Sequence, residues 1–263
     1  MPEGDTVWLA ARRLDACLGG ATLTAADLRV PSLATVDLSG RTVESVRSYG
    51  KHLLFRLSGG VSLHTHFRMD GTWHLYRLGR PWKGGPQWQV RAVLTTDAWQ
   101  AVGYRLPVVE LLDHRGEQAL LGRLGPDILD DDVPLDSVVE ALRAEPDRAI
   151  GDALLDQSIV AGFGLIYVSE TLFIRGIPPQ AAISSLDDLG SLLTTGRDLM
   201  RANRARGAQA STGDLREQHY VYGRAGRPCL RCGTRISHAK QRSGRFERDA
   251  YWCPNCQPAT PGV

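Results

Sequence analysis

The residues with the clearest potential for chemistry open the chain, in Met1-Pro2-Glu3. Pro2 is small enough for an initiator methionine to be removed, which would leave its ring nitrogen as a free secondary amine beside the Glu3 carboxylate. Such an amine attacks electrophilic carbon and passes to a positively charged iminium ion, and the carboxylate can transfer the protons that this needs. Met-Pro starts are common, so a solvated N-terminus without function is the alternative.

Four of the five cysteines have the spacing of a metal site. The pattern Cys229-x2-Cys232-x20-Cys253-x2-Cys256 can place four thiolates around Zn²⁺ as a tetrahedron. A redox dithiol pair and a catalytic zinc are the alternatives, but four cysteine ligands leave no position for a metal-bound water. We therefore expect one structural Zn²⁺ per chain. The fifth cysteine, Cys17, is predicted to be a small core residue of the first helix.

The segment between the two cysteine pairs is basic and favours a β-hairpin zinc ribbon that binds phosphates. Its cations are Arg235, Lys240, Arg242, Arg245 and Arg248. Residues 201–263 hold twelve Arg or Lys against four Asp or Glu, a charge of +8, whereas the rest of the chain has a charge of −6. A basic C-terminal part is typical of proteins with a polyanionic partner, and a merely solvated basic face is the alternative.

The hydrophobic pattern predicts a multidomain α+β fold. Its 263 residues suffice for two domains and a small module. Helical spacing indicates a helix over residues 5–18, and short β-branched runs then predict a β-sandwich. These strands are Val43–Val46, Leu53–Leu57, Val61–His66, Val90–Thr95 and Val108–Leu112. Helix-forming sequence continues to about residue 206, with breaks at Pro146, at 162–164 and at 176–179.

The second region of interest runs from Leu154 to Glu170 and contains Gly162-Phe163-Gly164. It predicts a helix, a glycine turn and a second helix, whose first N–H groups could bind an anion. A plain helical hairpin is the alternative. We predict three domains: an N-terminal catalytic domain of helix plus β-sandwich (1–122), a helix–two-turns–helix domain (123–220) and a C-terminal β-hairpin zinc ribbon (221–263).

Taken together, these segments resemble the formamidopyrimidine-DNA glycosylase/endonuclease VIII family. The resemblance is carried by Pro2-Glu3, by Asp156-Gln157 with Val160-Ala161-Gly162-x-Gly164-x-Ile166-Tyr167 and Glu170, and by Val221-Tyr222-Gly223-Arg224 before the zinc ribbon. It spans the whole chain in the correct order. The opening Pro-Glu-Gly-Asp-Thr-Val is most similar to the actinobacterial endonuclease VIII-like branch.

The resemblance implies catalytic roles for three residues. Pro2 would attack C1′ of the damaged nucleotide, and Glu3 would be the general acid/base. Lys51 would contact the lesion phosphate or assist elimination, with an ordinary strand-edge lysine as its alternative reading. Met69 would fill the space left by the extruded base, a task suited to a flexible apolar side chain. The other implied DNA-binding residues are Gly164, Leu165, Glu170, Arg245 and Arg248, of which Glu170 matches a buried carboxylate on the second helix.

Several positions depart from the family pattern. Leu165 stands where the family has an asparagine that holds a lesion phosphate, and Thr6 stands where a carboxylate is frequent. No Asp-x-Arg-Arg-Phe-Gly segment supplies the remaining wedge residues; Tyr104-Arg105-Leu106 occupies the comparable stretch without an assignment. Only eight residues separate Thr212 from Val221, so we expect no long loop that closes over oxidised purines.

The resemblance therefore implies a bifunctional DNA glycosylase/AP lyase of base excision repair that favours oxidised pyrimidines and nicks the strand by β(δ)-elimination. Its partner would be damaged DNA, duplex or single-stranded, and it would act as a monomer without a membrane or a small-molecule cofactor. The absence of a signal pattern predicts a cytoplasmic, nucleoid-associated bacterial protein. The alternatives are a non-catalytic or weakly catalytic damage-binding protein on the same scaffold, an oxidised-purine glycosylase, and a zinc-ribbon RNA-binding protein, which would leave Pro2-Glu3 unexplained.

Overall fold

The structure, a computed structural model, describes residues 1–243 and 246–259. The chain forms two compact units, Met1–Arg123 and Leu124–Val263. The predicted division into three domains at residues 122 and 220 stays a prediction. Among the described residues, no helix is both long and apolar enough to cross a membrane.

Helix α1 (Gly4–Leu18) opens the first unit, as predicted from its helical spacing. Val7, Ala11, Leu14 and Leu18 are buried and lie on one face of the helix. Glu3 precedes the helix with an extended backbone, and its carbonyl oxygen accepts hydrogen bonds from Thr6 N and Val7 N at 3.0 and 3.1 Å. The start of the helix therefore fixes the backbone of the residue next to Pro2.

Two antiparallel four-stranded sheets follow in the first unit, all of which the structure describes. The first has the order β1 (Ala25–Leu28), β6 (Val90–Thr95), β7 (Trp99–Tyr104), β5 (Thr72–Arg77), and the second has the order β2 (Val43–Tyr49), β3 (His52–Leu57), β4 (Val61–His66), β8 (Val108–Asp113). Both contribute to one apolar core, in which Phe55 contacts Trp73. The predicted sandwich and its five predicted strands are confirmed; β1, β5 and β7 were not predicted.

Helix α2 (His114–Leu121) packs on the face of the second sheet that points away from the core. Glu117 accepts hydrogen bonds from Arg56 Nε and Nη2 at 2.8 and 2.6 Å and contacts Ser62. The sequence analysis predicted no helix here, although Asp113 is an N-cap whose carboxylate accepts a bond from Gly116 N at 2.7 Å.

The same face carries three histidines, here called the histidine cluster: His52, His64 and His66. His52 pairs with His66 across β3 and β4, and His52 Nδ1 lies 2.9 Å from His64 Nε2. His64 Nδ1 lies 3.3 Å from Glu110 Oε2. Burial, assisted by Lys51 and the neighbouring rings, lowers the pKa of His52 to about 3 and that of His66 to about 4. Both rings are therefore neutral at pH 7.

The second unit combines four helices with a hairpin in its described part: α3 (Leu135–Arg143), α4 (Ile150–Ala153), α5 (Leu165–Arg175), α6 (Leu189–Arg206), β9 (Ser237–Ser243) and β10 (Phe246–Trp252). Helix α5 is apolar and buried almost throughout and packs against α6 and β10. It ends at Gly176, whose φ of 69° is left-handed and favours glycine. The predicted helical breaks at 162–164 and 176–179 coincide with the two ends of α5.

The histidine cluster predicts a pH-dependent stability. An unfolded histidine takes up a proton near pH 6.5, but folded His66 does so only near pH 4. The unfolded chain therefore binds more protons, and stability falls as the pH drops from 6.5 towards 4, by about 1.4 kcal/mol per pH unit for each such histidine. We expect His66→Asn, whose amide oxygen can still accept a bond, to reduce this slope in urea unfolding between pH 7.5 and 5.5.

The matched control is His114→Asn at an exposed position of α2, which should leave the slope unchanged. Equal slopes for wild type and His66→Asn would contradict the prediction.

Candidate active site and metal centre

The first residues of the chain and the Gly50-Lys51 turn belong to the same end of the first unit. Asp15 Oδ1 accepts a bond of 2.7 Å from Val46 N, and Gly20 N donates to Val43 O at 2.8 Å, so α1 and β2 are antiparallel neighbours. From Asp15, the helix extends about 18 Å back to Glu3. From Val46, the strand extends about 17 Å in the same direction to Lys51. Glu3 and Lys51 therefore lie at the same end of the unit.

The turn that carries Lys51 is a two-residue hairpin between β2 and β3, in which Tyr49 pairs with His52. Gly50 has a φ of 54°, which suits the first central position of a type II′ turn. Lys51 is half-buried, and its positive charge is close enough to His52 and His66 to lower both pKa values. The tight turn thus holds an ammonium group beside the neutral histidine cluster.

Burial sets the environment of the other two predicted catalytic residues. Glu3 is 1% exposed and Pro2 is half-buried. A carboxylate at the edge of a buried helix start is shielded from bulk water, which strengthens its interaction with a neighbouring amine. The arrangement suits local proton transfer next to Pro2.

Met69 lies on the loop between β4 and β5 and is 67% exposed. Two hydrogen bonds hold the backbone of this loop: Arg68 N donates to His66 Nδ1 at 2.9 Å, and Gly71 N donates to Phe67 O at 2.9 Å. Arg68 has a left-handed φ of 47°. His66 is therefore in contact with the Met69 loop and electrostatically coupled to Lys51, and both predicted residues share this corner of the unit.

The sequence analysis missed the histidine cluster. Its signal was His64-Thr65-His66, two histidines at strand spacing on one face. Only the strand register shows that His52 joins them.

The glycine turn before α5 is organised by one side chain. Gln157 Nε2 donates to Phe163 O at 2.9 Å, and its Oε1 accepts from Gly162 N at 3.1 Å. Gly162 has a φ of 109°, and Gly164 is the N-cap of α5. The predicted turn and second helix are present, and the turn presents the N-terminus of α5. The predicted first helix is wrong for residues 154–161, which form turns, because the preceding helix α4 already ends at Ala153.

Leu165 is the first residue of α5 and is half-buried. It lines a shallow recess whose other walls include Leu155, Pro179 and Tyr251. Its side chain therefore lies among apolar and aromatic groups, where it offers no hydrogen bond to a phosphate.

Glu170, expected to be a buried carboxylate among the DNA-binding residues, is indeed buried, with 0% exposure. It accepts bonds from Tyr220 N, Val221 N and Tyr222 N at 2.7, 2.9 and 2.8 Å. Burial raises the pKa of this carboxyl, and the three backbone donors oppose that rise. Glu170 therefore holds the segment that leads into the hairpin and cannot contact DNA directly in this conformation.

The four cysteines form the metal centre that their spacing predicted. Their Sγ atoms all lie within 4.8 Å of one another, with 3.9 Å between Cys229 and Cys256 and 3.5 Å between Cys232 and Cys253. A tetrahedron with metal–sulfur bonds of about 2.3 Å has edges of about 3.8 Å, so the sulfurs fit such an ion closely. Cys17 lies apart on α1, where it is half-buried against the core of the first unit.

The hairpin presents cations next to the metal centre. Arg248 is half-buried on β10. The neighbouring Asp249 binds Lys240 at 2.7 Å and His238 at 2.8 Å, which pins the two strands together. Arg245 lies outside the described residues.

Two domain models match the chain: the formamidopyrimidine-DNA glycosylase N-terminal domain over residues 1–106 and the formamidopyrimidine-DNA glycosylase H2TH domain over residues 124–211. A probable endonuclease 8 2 of Streptomyces coelicolor is 50% identical over 259 residues, which cover 98% of this chain and 94% of the relative. The DNA-(apurinic or apyrimidinic site) lyase Nei2 of Mycolicibacterium smegmatis is 44% identical over 262 residues, which cover 99% of this chain and 100% of the relative.

Solved structures show the same fold. The formamidopyrimidine-DNA glycosylase of Lactococcus lactis, bound non-covalently to DNA that contains an AP site, superposes with a TM-score of 0.81 at 24% identity and covers 98% of this chain and 100% of its own. With the resemblance of its motifs now matched by both domain models and by whole-length relatives, the chain belongs to the formamidopyrimidine-DNA glycosylase/endonuclease VIII family of DNA-repair glycosylases and AP lyases.

Proposed function

We propose that this DNA glycosylase/AP lyase acts through an N-terminal Pro2 Schiff base and favours oxidised pyrimidines in damaged DNA. The observation that carries the proposal is the placement of Pro2 and Glu3 at the same end of the first unit as Lys51. That end would therefore hold an amine, a carboxylate and an ammonium group, the three groups that base displacement and elimination need.

In the proposed reaction, the Pro2 nitrogen forms a bond to C1′ of an everted nucleotide while the bond from C1′ to the base breaks. The departing base takes a proton, and Glu3 assists the opening of the sugar ring by proton transfer. The resulting iminium ion acidifies C2′–H. Loss of that proton breaks the bond between C3′ and its phosphate oxygen, which nicks the strand. The Lys51 cation favours the neutral, nucleophilic form of the amine.

The preference for pyrimidines is supported by the segment before the hairpin. Ser211 N donates to Gln218 O at 2.7 Å, and Thr212 Oγ1 contacts the carbonyl oxygens of Asp214 and Glu217. These bonds close residues 211–218 into a compact turn. Such a turn is too short to fold over a purine that has been rotated out of the DNA double helix.

We further propose that the metal is Zn²⁺ and that its role is structural. Four thiolate donors and a tetrahedral edge length suit zinc, and the four sulfurs fill its coordination shell. Burial, followed by the neighbouring cysteine sulfurs, raises the pKa of Cys256 to about 12, so this thiol needs a bound cation to ionise at neutral pH. When bound, the ion supplies folding energy to the hairpin that carries Arg248.

A second candidate function is favoured by Leu165. Because this side chain cannot bind a phosphate through a hydrogen bond, the protein could bind damaged DNA with little or no turnover. The experiment below separates the two functions.

Trapping with borohydride tests the Schiff base. Wild-type protein, shown by intact mass to lack Met1, should form a covalent adduct with abasic-site DNA when the iminium ion is reduced. Pro2→Gly should keep the affinity for this DNA within about threefold while losing most of the adduct, since the phosphate contacts do not involve Pro2. An absence of adduct from correctly trimmed wild type would refute the mechanism and favour the damage-binding function.

A panel of oligonucleotides tests the substrate preference. We expect thymine glycol and dihydrouracil to be excised at least about tenfold faster than 8-oxoguanine, because the compact 211–218 turn offers a purine little cover. Single-turnover rates on otherwise identical duplexes measure this directly. If only the abasic-site control is cleaved, the proposed lyase activity is supported and the proposed base excision is refuted.

Loss of one cysteine ligand tests the metal centre. Cys253→Ser should lower bound zinc, measured by elemental mass spectrometry, from one per chain towards zero and weaken DNA binding at least about tenfold, because the hairpin loses its folding energy. Cys17→Ser is the matched control and should retain full zinc. Full zinc occupancy in Cys253→Ser would contradict the proposed ligand set.

A further inference from the structure

Two large apolar side chains stand exposed on separate loops of the first unit. Met69 is 67% exposed and Trp88, in the connection between β5 and β6, is 73% exposed. Isolated exposed apolar residues are ordinary on protein surfaces, so exposure alone assigns no role. However, the residue that follows each of them in the sequence is hydrogen-bonded to the same arginine.

That arginine is Arg105, on the loop between β7 and β8. Its Nε donates to Asp70 O at 3.1 Å, and its Nη1 donates to Gln89 Oε1 at 2.6 Å. Its backbone N also donates to Gln89 O at 2.8 Å. Because one guanidinium binds both, Asp70 O and Gln89 Oε1 lie within about 8 Å of each other. Met69 and Trp88 each immediately precede one of these partners.

The Arg105 loop is itself unable to provide an apolar wedge. Tyr104 and Leu106, on either side of Arg105, are 0% and 2% exposed and belong to the core. Arg105 has a left-handed φ of 49°, and its side chain is engaged by Asp70 and Gln89. The unassigned stretch Tyr104-Arg105-Leu106 therefore connects two neighbouring loops through Arg105 and offers no apolar side chain at the surface.

The backbone that carries Trp88 is fixed. Gln89 N donates to Pro86 O at 3.0 Å, and Arg91 Nη1 donates to Trp88 O at 2.9 Å. By contrast, the indole of the nearby Trp82 donates to Gln100 Oε1 at 3.2 Å within the unit. Because the backbone is already fixed, only the side-chain torsions of Trp88 lose freedom when its indole stacks on a ligand.

The charge of the segment that contains Trp88 indicates the class of ligand. Residues 71–96, between Asp70 and Asp97, carry four cations, Arg77, Arg80, Lys83 and Arg91, and no Asp or Glu. An aromatic face among cations matches a nucleic acid, which offers stacked bases beside phosphates. It does not match an acidic protein surface as well, because proteins present few flat aromatic rings for stacking.

We propose that Trp88 stacks on a DNA base next to the everted nucleotide and acts with Met69 as a two-part wedge. This inference rests on the proposed function, since it needs a lesion that leaves the helix. Arg105 is the positioning residue that sets the spacing between the two parts. Trp88 thereby replaces the wedge that the β7–β8 loop lacks.

The test uses full-length protein and a duplex with an uncleavable tetrahydrofuran abasic site and 2-aminopurine as the base next to it. Trp88→Ala should raise the Kd for this duplex by about 5- to 100-fold, the range for loss of one stacked base. Trp88→Phe should stay within about threefold of wild type. The 2-aminopurine fluorescence, which stacking quenches, should rise for the Trp88→Ala complex at saturating protein.

Leu78→Ala is the matched control, because Leu78 is also an exposed apolar residue of the β5–β6 connection, at 48% exposure, without a bond to Arg105. It should leave Kd and fluorescence unchanged. The dependence of log Kd on log salt should have the same slope in Trp88→Ala as in wild type, because stacking releases no counterions. A flatter slope would mean that Trp88 acts by placing nearby cations, and would overturn the proposal.

Equal Kd values for wild type and a correctly folded Trp88→Ala, checked by circular dichroism, would also overturn it. If wild type is trapped by borohydride but Trp88→Ala binds normally, only the stacking role fails. If wild type neither prefers abasic DNA nor forms an adduct, the proposed function fails and the wedge with it.

Discussion

The second unit depends on one buried carboxylate. Glu170 lies within α5, where an isolated charge would cost several kcal/mol of desolvation. Three consecutive backbone N–H groups of residues 220–222 satisfy it at 2.7 to 2.9 Å. Bonds from N–H donors to an ionised carboxylate are among the stronger hydrogen bonds in proteins. The helix that follows the glycine turn is thus tied to the segment that leads into the cysteine hairpin.

These hydrogen bonds fix the start of the small hairpin relative to α5. A two-stranded hairpin is marginally stable by itself, and Cys256, whose pKa burial raises to about 12, needs an ion to be held as a thiolate. Gln257 adds a second attachment, because its Nε2 donates to Ile177 O at 2.7 Å just beyond the end of α5. With both ends of the module fastened to α5, the position of Arg248 relative to the glycine turn is determined by protein contacts as well as by the metal.

In the first unit, neutral histidine rings lie beside a charged side chain. Lys51 lies beside His52 and His66, whose pKa values burial lowers to about 3 and about 4, so both rings are neutral at pH 7. His66 can then accept the Arg68 N–H bond that supports the Met69 loop. The second loop, with Trp88, is attached through Arg105. Met69 and Trp88, the exposed side chains that we propose to contact DNA, therefore lie on backbone that hydrogen bonds hold in place.

Much of this organisation could be predicted from the sequence, because its signals are local. The helix at residues 5–18, five strands, the glycine turn and the cysteine cluster follow from periodicity and spacing. Strand β7 was missed because its inward residues include Gly103, which contacts Leu106 and Trp73 too closely for a larger side chain. The histidine cluster and the Arg105 link could not be predicted, because they join residues that only strand register and loop packing bring together.

Leu165 shows where side chain and backbone chemistry separate. The turn that presents the start of α5 is shaped by Gln157, which binds Gly162 and Phe163, and does not depend on the side chain of residue 165. A phosphate at this helix N-terminus is attracted by backbone N–H groups and the helix dipole, whichever residue follows Gly164. Leu165 instead lines a recess whose walls include Tyr251 of the hairpin. A leucine at this position thus offers no side-chain hydrogen bond to a phosphate, but it leaves the backbone N–H groups at the start of α5 in place.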